Sequence, residues 1–169
     1  MTSNRRSFFR QSATGVALLA TQSSFSIGVL GANSRLNLAA IGVGGKGWSD
    51  LGETSKGQNV VAVCDVDSNA LGRAMERYAG AKGYTDWRHL LERDDIDAVT
   101  VSTPDHMHAP IAMTAMKLGK HVYCQKPLTH DVYESRQLAR VAAESRVVTQ
   151  MGTQHHSGTF FKTTVKYIQ

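Results

Sequence analysis

The stretch IGVGGKG, residues 41–47, contains the glycine spacing that decides the fold of this chain. Glycines 42, 44 and 47 form the pattern G-x-G-x-x-G directly after the apolar run LNLAAI, residues 36–41. In a strand–turn–helix unit the first glycine allows the tight turn. The second lets phosphates approach the backbone, and the third lets helix and strand pack closely. Because the next helix would also offer free N–H groups to phosphates, the stretch predicts a dinucleotide cradle.

An acidic residue follows at the distance that such a cradle requires. Asp65 directly follows the β-branched run NVVAVC, residues 59–64, and lies 18 residues after Gly47 (65 − 47). A carboxylate at this point bonds the adenosine ribose and favours NAD, because the extra phosphate of NADP would be repelled without a compensating cation. Arg73 is a candidate cation, one or two helical turns away. Asp65 also fits a turn or a helix cap, a role that Asp67 would share.

The body of the chain alternates between short apolar runs and helical patterns. This alternation predicts a doubly wound α/β fold of the Rossmann type, a parallel sheet covered by helices on both faces, with strand order 3-2-1-4-5-6. The predicted strands span residues 36–44, 59–66, 82–87, 96–103, 121–124 and 147–152. The predicted helices span residues 47–56, 67–80, 88–94, 108–119, 130–145 and 159–169.

Composition excludes several classes of protein. The 169 residues, 41% hydrophobic and 20% charged, suit one globular domain. The net charge of +5 falls to +2 (5 − 3) without the three arginines of residues 1–34, so no basic surface for nucleic acid is expected. No stretch has the length and purity of a membrane span. Cys64 and Cys124 would lie three strands apart, about 14 Å, so we predict two free, mostly buried thiols.

The N-terminus has the organisation of an export signal. Arg5 and Arg6 precede Phe8 and Phe9, and a modest apolar stretch with small residues follows over residues 15–32. This order resembles a twin-arginine signal, so we expect export to the periplasm by the twin-arginine translocation machinery. The alternative is a disordered or amphipathic tail. That route moves folded proteins, which implies that a cofactor is bound before export.

Three strand ends carry distinctive polar stretches: VTVSTPDHMHAPIA at residues 99–112, GKHVYCQKPLT at 119–129 and VVTQMGTQHH at 147–156. Together with the glycine loop, their order and spacing resemble the glucose–fructose oxidoreductase / inositol dehydrogenase (Gfo/Idh/MocA) family, with its T-P-N-x-x-H and E-K-P motifs. The similarity runs from about residue 36 to the end of the chain.

The resemblance implies a nicotinamide-dependent oxidoreductase that acts on sugars or polyols. It implies that Lys126 is catalytic, reaching the nicotinamide and the reacting hydroxyl, and that Pro127 shapes the turn. Thr103 and Pro104 would border the nicotinamide, with His108 nearby. The full set of expected cofactor contacts is Gly42, Gly44, Gly45, Gly47, Asp65, Thr103, Pro104, His108, Gln125, Lys126 and Pro127.

The sequence departs from the family pattern in two respects. Gln125 replaces the usual glutamate, so a neutral amide stands beside Lys126. The α/β substrate domain, with its further catalytic groups, does not follow within this chain. We therefore expect an export signal at 1–32, the dinucleotide-binding domain at 33–158, and the start of the connection to a substrate domain at 159–169. This portion alone would be inactive.

Lys126 is also a candidate without the resemblance. It follows the fifth predicted strand, and ligands of open α/β sheets bind beyond the carboxyl ends of the strands. Pro127 fixes its φ angle and donates no backbone hydrogen bond, so the turn is rigid. A cation held there can orient a substrate hydroxyl and stabilise a developing alkoxide. The alternative is an ordinary surface lysine.

The histidines at 106, 108, 155 and 156 fit no standard zinc spacing, and no metal is expected. His155 and His156 are weaker candidates for the substrate cleft, or simple loop residues. The leading interpretation is hydride transfer between NAD, less favourably NADP, and a sugar or polyol carbon. The alternatives are an NAD-dependent glycosidase and a non-catalytic dinucleotide-binding protein. A homo-oligomer is compatible with the family.

Overall fold

The computed structural model describes residues 35–168, so the predicted export signal and Gln169 lie outside the described residues. The described part contains a six-stranded sheet in the order β3-β2-β1-β4-β5-β6, in which every neighbouring pair is parallel. The strands are β1 (Asn37–Ile41), β2 (Asn59–Cys64), β3 (Lys82–Tyr84), β4 (Ala98–Val101), β5 (His121–Gln125) and β6 (Thr149–Gly152). The predicted doubly wound fold and its strand order are confirmed.

Helices connect the strands. They are α1 (Gly45–Thr54), α2 (Ser68–Arg77), α3 (Trp87–Leu91), α4 (Asp105–Lys117), α5 (Val132–Ser145) and α6 (Thr159–Ile168), with a 3₁₀ turn at Gln154–Ser157 before α6. Asp67 caps α2, where its side chain accepts from the N–H of Asn69. No helix within residues 35–168 is both long enough and apolar enough to cross a membrane.

Two apolar layers hold the helices against the sheet. Successive side chains of a strand point to opposite faces, so Ala39 and Ile41 enter one layer and Ala40 enters the other. The larger layer includes Leu90 of α3, along with buried residues of α4 and α5. The smaller layer includes Leu51 of α1, along with buried alanines of α2. Helices on both faces leave the carboxyl ends of the strands as the open edge where side chains can meet a ligand.

The two cysteines are free and buried, as predicted. Cys64 ends β2 and Cys124 lies on β5, three positions away in the sheet. Burial is the main cause that raises the pKa of each thiol to about 12. For Cys64 the nearby carboxylate of Asp65 adds to that rise in pKa.

Candidate functional site

The glycine loop between β1 and α1 is shaped by two glycines that the protein's own packing requires. Gly42 has a φ of +81°, and a Cβ added there would lie 2.6 Å from the carbonyl oxygen of Ser102. A Cβ on Gly47 would overlap the carbonyl oxygen of Gly42. The turn and the first turn of α1 are therefore pressed against the end of β4, with no space for a side chain at either position.

Gly44 is different, because packing within the protein does not require it. A Cβ at this position would meet its nearest atoms at ordinary contact distances, 3.6 Å from the Cβ of Ala70 and 3.8 Å from Oδ2 of Asp65. Gly44 is also the N-cap of α1, and its helix start has no side-chain cap. The first N–H groups of α1 thus lie beside bare backbone, the arrangement that a pyrophosphate needs.

Asp65 holds this loop from the neighbouring strand. Its Oδ2 accepts from the N–H of Val43 at 2.8 Å and from the N–H of Gly44 at 3.1 Å, while Oδ1 accepts from the N–H of Asp67 at 3.0 Å. The carboxylate faces a cavity of about 550 Å³ that the glycine loop also lines. Capping of α2 belongs to Asp67, and Asp65 instead orders the cradle; its contact with a ribose stays a prediction.

Thr103 stands where that cavity meets a second one. Thr103 and its neighbour Ser102 line both cavities, and Pro104 lines the first. The hydroxyl Oγ1 of Thr103 is one of two buried side-chain polar atoms without a hydrogen-bond partner among residues 35–168. A buried hydroxyl of this kind costs free energy unless a ligand satisfies it. Together with the uncovered backbone at Gly44, it fits a dinucleotide that runs across both cavities.

The second cavity, about 610 Å³, contains the lysine that the sequence singled out. Lys126 is exposed at the end of β5, and the peptide bond from Lys126 to Pro127 is cis. Exposed His155 and His156, on the 3₁₀ turn, line the same cavity. The structure thus brings the predicted catalytic residue and both candidate substrate residues to one opening, beside the groove of the glycine loop.

His108 is buried beneath this opening, with 1% of its surface exposed. Its Nδ1 lies 2.6 Å from the carbonyl oxygen of Pro127, and its Nε2 lies 2.7 Å from the carbonyl oxygen of Thr103. Both ring nitrogens therefore lie within hydrogen-bond distance of carbonyl oxygens of the protein itself. The geometry gives His108 a bridging position between two strand ends; its contact with cofactor stays a prediction.

Sequence reasoning missed several members of this site, among them Lys46 and Asp50 of α1. Lys46 lines the second cavity, and its Nζ lies 2.5 Å from Oδ1 of Asp50, which is buried. Both belong to α1, four residues apart, so they share one face of the helix. The sequence signal for them is the i, i+4 charge pair in GGKGWSD, which begins within the glycine motif; its helix face lies at the end of β4, where Asp50 accepts from Ser102.

One group within residues 35–168 has the spacing of a metal site, and it lies away from both cavities. The ligand atoms of His130, Asp131 and Glu134 lie within 4.8 Å of one another. Asp131 caps α5 by accepting from the N–H of Glu134, and Glu134 accepts from the N–H of His130. These reciprocal bonds form a helix cap, which accounts for the cluster without an ion.

Comparison with known proteins identifies the family. The profile of the Gfo/Idh/MocA oxidoreductases, described as an oxidoreductase family with an NAD-binding Rossmann fold, matches residues 36–153. This chain belongs to the Gfo/Idh/MocA family. The resemblance drawn from the strand-end motifs is thereby confirmed, and with it the NAD-binding Rossmann fold of residues 36–153.

Individual relatives within the Gfo/Idh/MocA family differ in activity. An inositol 2-dehydrogenase of Rubrobacter xylanophilus is 32% identical over 126 residues, covering 72% of this chain and 36% of the relative. An alpha-N-acetylgalactosaminidase of Shewanella oneidensis is 36% identical over 117 residues, covering 63% of this chain and 26% of the relative. The crystal structure of myo-inositol 2-dehydrogenase from Lactobacillus plantarum has a TM-score of 0.74 at 27% identity, covering 80% of this chain and 41% of that one. The chain thus spans well under half the length of these Gfo/Idh/MocA relatives.

Proposed function

We propose that the protein carrying this chain transfers hydride between a nicotinamide cofactor and a hydroxyl-bearing carbon of a sugar or polyol. The observation that carries the proposal is the position of Lys126 at the end of β5. Its cavity shares Ser102 and Thr103 with the cavity of about 550 Å³ that the glycine loop lines. The dehydrogenase activity named for the Rubrobacter xylanophilus relative supports the substrate class.

In this proposal each of the site residues has a separate role. NAD supplies the hydride acceptor when it is bound. The backbone at Gly44 and the start of α1 bind the pyrophosphate, and Asp65 binds the adenosine ribose. Lys126 donates a hydrogen bond to the substrate hydroxyl and stabilises the negative charge that develops on its oxygen. The carboxylate of Asp65 favours NAD over NADP, because it repels a phosphate on the ribose.

Replacement of Lys126 by alanine tests the proposal in the protein that carries this domain. We expect turnover with an inositol or a sugar to fall by about 10²-fold or more, while the dissociation constant for NADH changes less than about threefold. Lys117→Ala, which removes an exposed lysine of α4, is the matched control. Turnover that survives Lys126→Ala as well as it survives Lys117→Ala would exclude a catalytic role for Lys126.

A second candidate function is glycoside hydrolysis by transient oxidation of the sugar, which uses the same cofactor groove. The alpha-N-acetylgalactosaminidase of Shewanella oneidensis, 36% identical over 117 residues, favours it. The two functions differ in net redox change. A dehydrogenase accumulates NADH in proportion to product, whereas the glycosidase releases a sugar from an aryl glycoside without net NADH. Binding of NADH with neither activity would leave the third candidate, a non-catalytic dinucleotide-binding protein.

We also propose that the protein is exported to the periplasm with its cofactor already bound. The support is the Arg5–Arg6 pair and the apolar stretch after it, with a signal at 1–32, the dinucleotide domain at 33–158 and the connection to a substrate domain from 159. Changing both arginines to lysine should leave the protein in the cytoplasm. Periplasmic recovery of that variant would contradict the proposed route.

A further inference from the structure

A buried carboxylate joins four structural elements beneath the Lys126 cavity. Asp50 on α1 is 5% exposed, and its oxygens accept from Lys46 Nζ at 2.5 Å, Ser102 Oγ at 2.9 Å, Gln125 Nε2 at 2.8 Å and Gln154 Nε2 at 3.4 Å. A buried charge is costly unless it is paired and hydrogen-bonded. Here the donors come from α1, the end of β4, β5 and the 3₁₀ turn, so the carboxylate draws together the elements that surround the cavity.

Gln125 lies between this carboxylate and the catalytic turn. Its Nε2 donates to Asp50 Oδ2, and its Oε1 accepts from the backbone N–H of Lys126 at 3.3 Å. An amide can make both bonds, because it has a donor and an acceptor at its end. A glutamate could accept from the N–H of Lys126, but its other oxygen would face a second carboxylate at the same separation of 2.8 Å.

Gly152 closes the remaining side of this amide. A Cβ added to Gly152 would lie 2.7 Å from Nε2 and 2.8 Å from Oε1 of Gln125. The Gln125 side chain, 5% exposed, is therefore confined between the backbone of β6 and Asp50. It has no space in which to turn away if its partner changes.

We propose that Asp50 and Gln125 are a matched pair that positions Lys126. In this chain the carboxylate beside the turn of Lys126 belongs to Asp50 on α1. Gln125 connects it to the backbone N–H of Lys126 through two hydrogen bonds. The neutral residue at 125 is therefore a consequence of the acid at 50, not a loss of function. Asp50 acts through Gln125 and is a positioning residue. The importance of Lys126 rests on the proposed function, but the pairing does not.

A charge-swap cycle on the full 169-residue chain tests the pairing. The proteins are the wild type, Gln125→Glu, Asp50→Asn and the double variant, with Gln150→Glu, an exposed glutamine of β6, as the matched control. Each is melted between about pH 5.5 and 8.5.

Gln125→Glu should lower Tm at about pH 8 by about 5 °C or more, and the loss should shrink near pH 5.5, where one carboxyl of the pair can hold a proton. In the double variant the amide and the carboxylate exchange places, so the amide at position 50 can donate to the carboxylate at position 125. This variant should recover at least half of the loss.

Other ionisable groups near the pair must be separated from this effect. Those that contact it or line the same cavity are Lys46, Asp105, His108, Lys126 and the histidines of the 3₁₀ turn, and the Tyr123 hydroxyl accepts from Gln154, which also donates to Asp50. Because they are present in every protein of the cycle, only the difference between variants reports on residues 50 and 125. If Gln125→Glu fails to fold at about pH 8, its recovery in the double variant still decides the outcome.

The positioning of Lys126 is tested by a measurement that does not depend on the stability of the protein. Lysines are ¹³C-dimethylated, and the Lys126 resonance is assigned by its loss in Lys126→Arg. It should shift in Gln125→Glu and in Asp50→Asn, and return toward the wild-type position in the double variant. If the Tm changes of the two single variants simply add in the double variant, residues 50 and 125 are not a matched pair. If the Lys126 resonance is identical in all four proteins, the pair does not position Lys126. Neither readout uses NADH, so failure of the proposed function, seen as no NADH binding, remains distinguishable.

Discussion

The Nδ1 of His108 lies 2.6 Å from the carbonyl oxygen of Pro127, and the ring so connects α4 to the turn that follows Lys126. Its Nε2 reaches the carbonyl oxygen of Thr103 at 2.7 Å. One buried ring thus bridges two strand-end loops, one beside the cavity that the glycine loop lines and the other carrying Lys126. The stability of this bridge and the geometry of the site are therefore linked.

Replacement of His108 by alanine should be costly. It removes the buried ring that bridges two carbonyl oxygens and leaves a cavity, so we expect the free energy of unfolding to fall by about 2–4 kcal/mol. Urea denaturation followed by circular dichroism measures the change. His106→Ala, two residues earlier and exposed, is the control and should cost less than about 0.5 kcal/mol. Equal stability of the two variants would show that the bridge contributes nothing.

The glycines of the cradle should separate into two classes on substitution. Gly47→Ala forces a Cβ into the carbonyl oxygen of Gly42, so we expect loss of more than about 3 kcal/mol of unfolding free energy, or no folded protein. Gly44→Ala meets only ordinary contacts, so it should stay within about 1 kcal/mol of wild type while NADH binding weakens about tenfold or more. A folded Gly44→Ala that binds NADH normally would remove Gly44 from the phosphate site.

The carboxylate of Asp65 should decide between the two nicotinamide cofactors. Asp65→Asn keeps an acceptor for the loop N–H groups but removes the charge, so the preference for NADH over NADPH should fall about tenfold. Asp67→Asn makes the same change two residues away and preserves a good helix cap, so it is the matched control. Dissociation constants from fluorescence titrations give the ratio for each protein. An unchanged ratio in Asp65→Asn would exclude this residue as the discriminator.

The buried thiols should be inert in the folded protein. Because burial raises the pKa of Cys64 and Cys124 to about 12, neither should react with Ellman's reagent at about pH 8 until the chain unfolds. The sign of the linkage follows from the raised pKa. Above about pH 9 the unfolded chain releases thiol protons that the folded chain keeps, so stability should fall as pH rises from about 9 toward 12. Rapid modification of either thiol in native protein would contradict the buried placement.

Much of the fold follows from the sequence, because its signals are local. The order of the strands comes from the alternation of apolar runs and helices, and the glycine turn comes from the spacing of residues 42, 44 and 47. The ends of elements were less predictable. The strand predicted for residues 96–103 covers only Ala98–Val101, since Ser102 and Thr103 turn out of the sheet to line the cavities. Helix α4 begins at Asp105, before the predicted start at His108.

The Asp50 cluster was not predicted, for a physical reason. The partners of Asp50 lie up to 104 positions away from it along the chain, and they meet only because parallel strands end at one edge. Gln125 alone was interpreted as the loss of a charge. Its hydrogen-bond partner Asp50, 75 positions earlier, carries a negative charge next to the same turn.

The most direct measurement is a fluorescence titration of the 169-residue chain with NADH, with Gly44→Ala measured alongside. We expect a saturable, blue-shifted enhancement with a dissociation constant of about 100 µM or below, reversal by NAD, and binding weakened about tenfold or more in Gly44→Ala. No saturable change up to about 1 mM NADH in the folded wild type would contradict the assignment of this cradle to a nicotinamide dinucleotide.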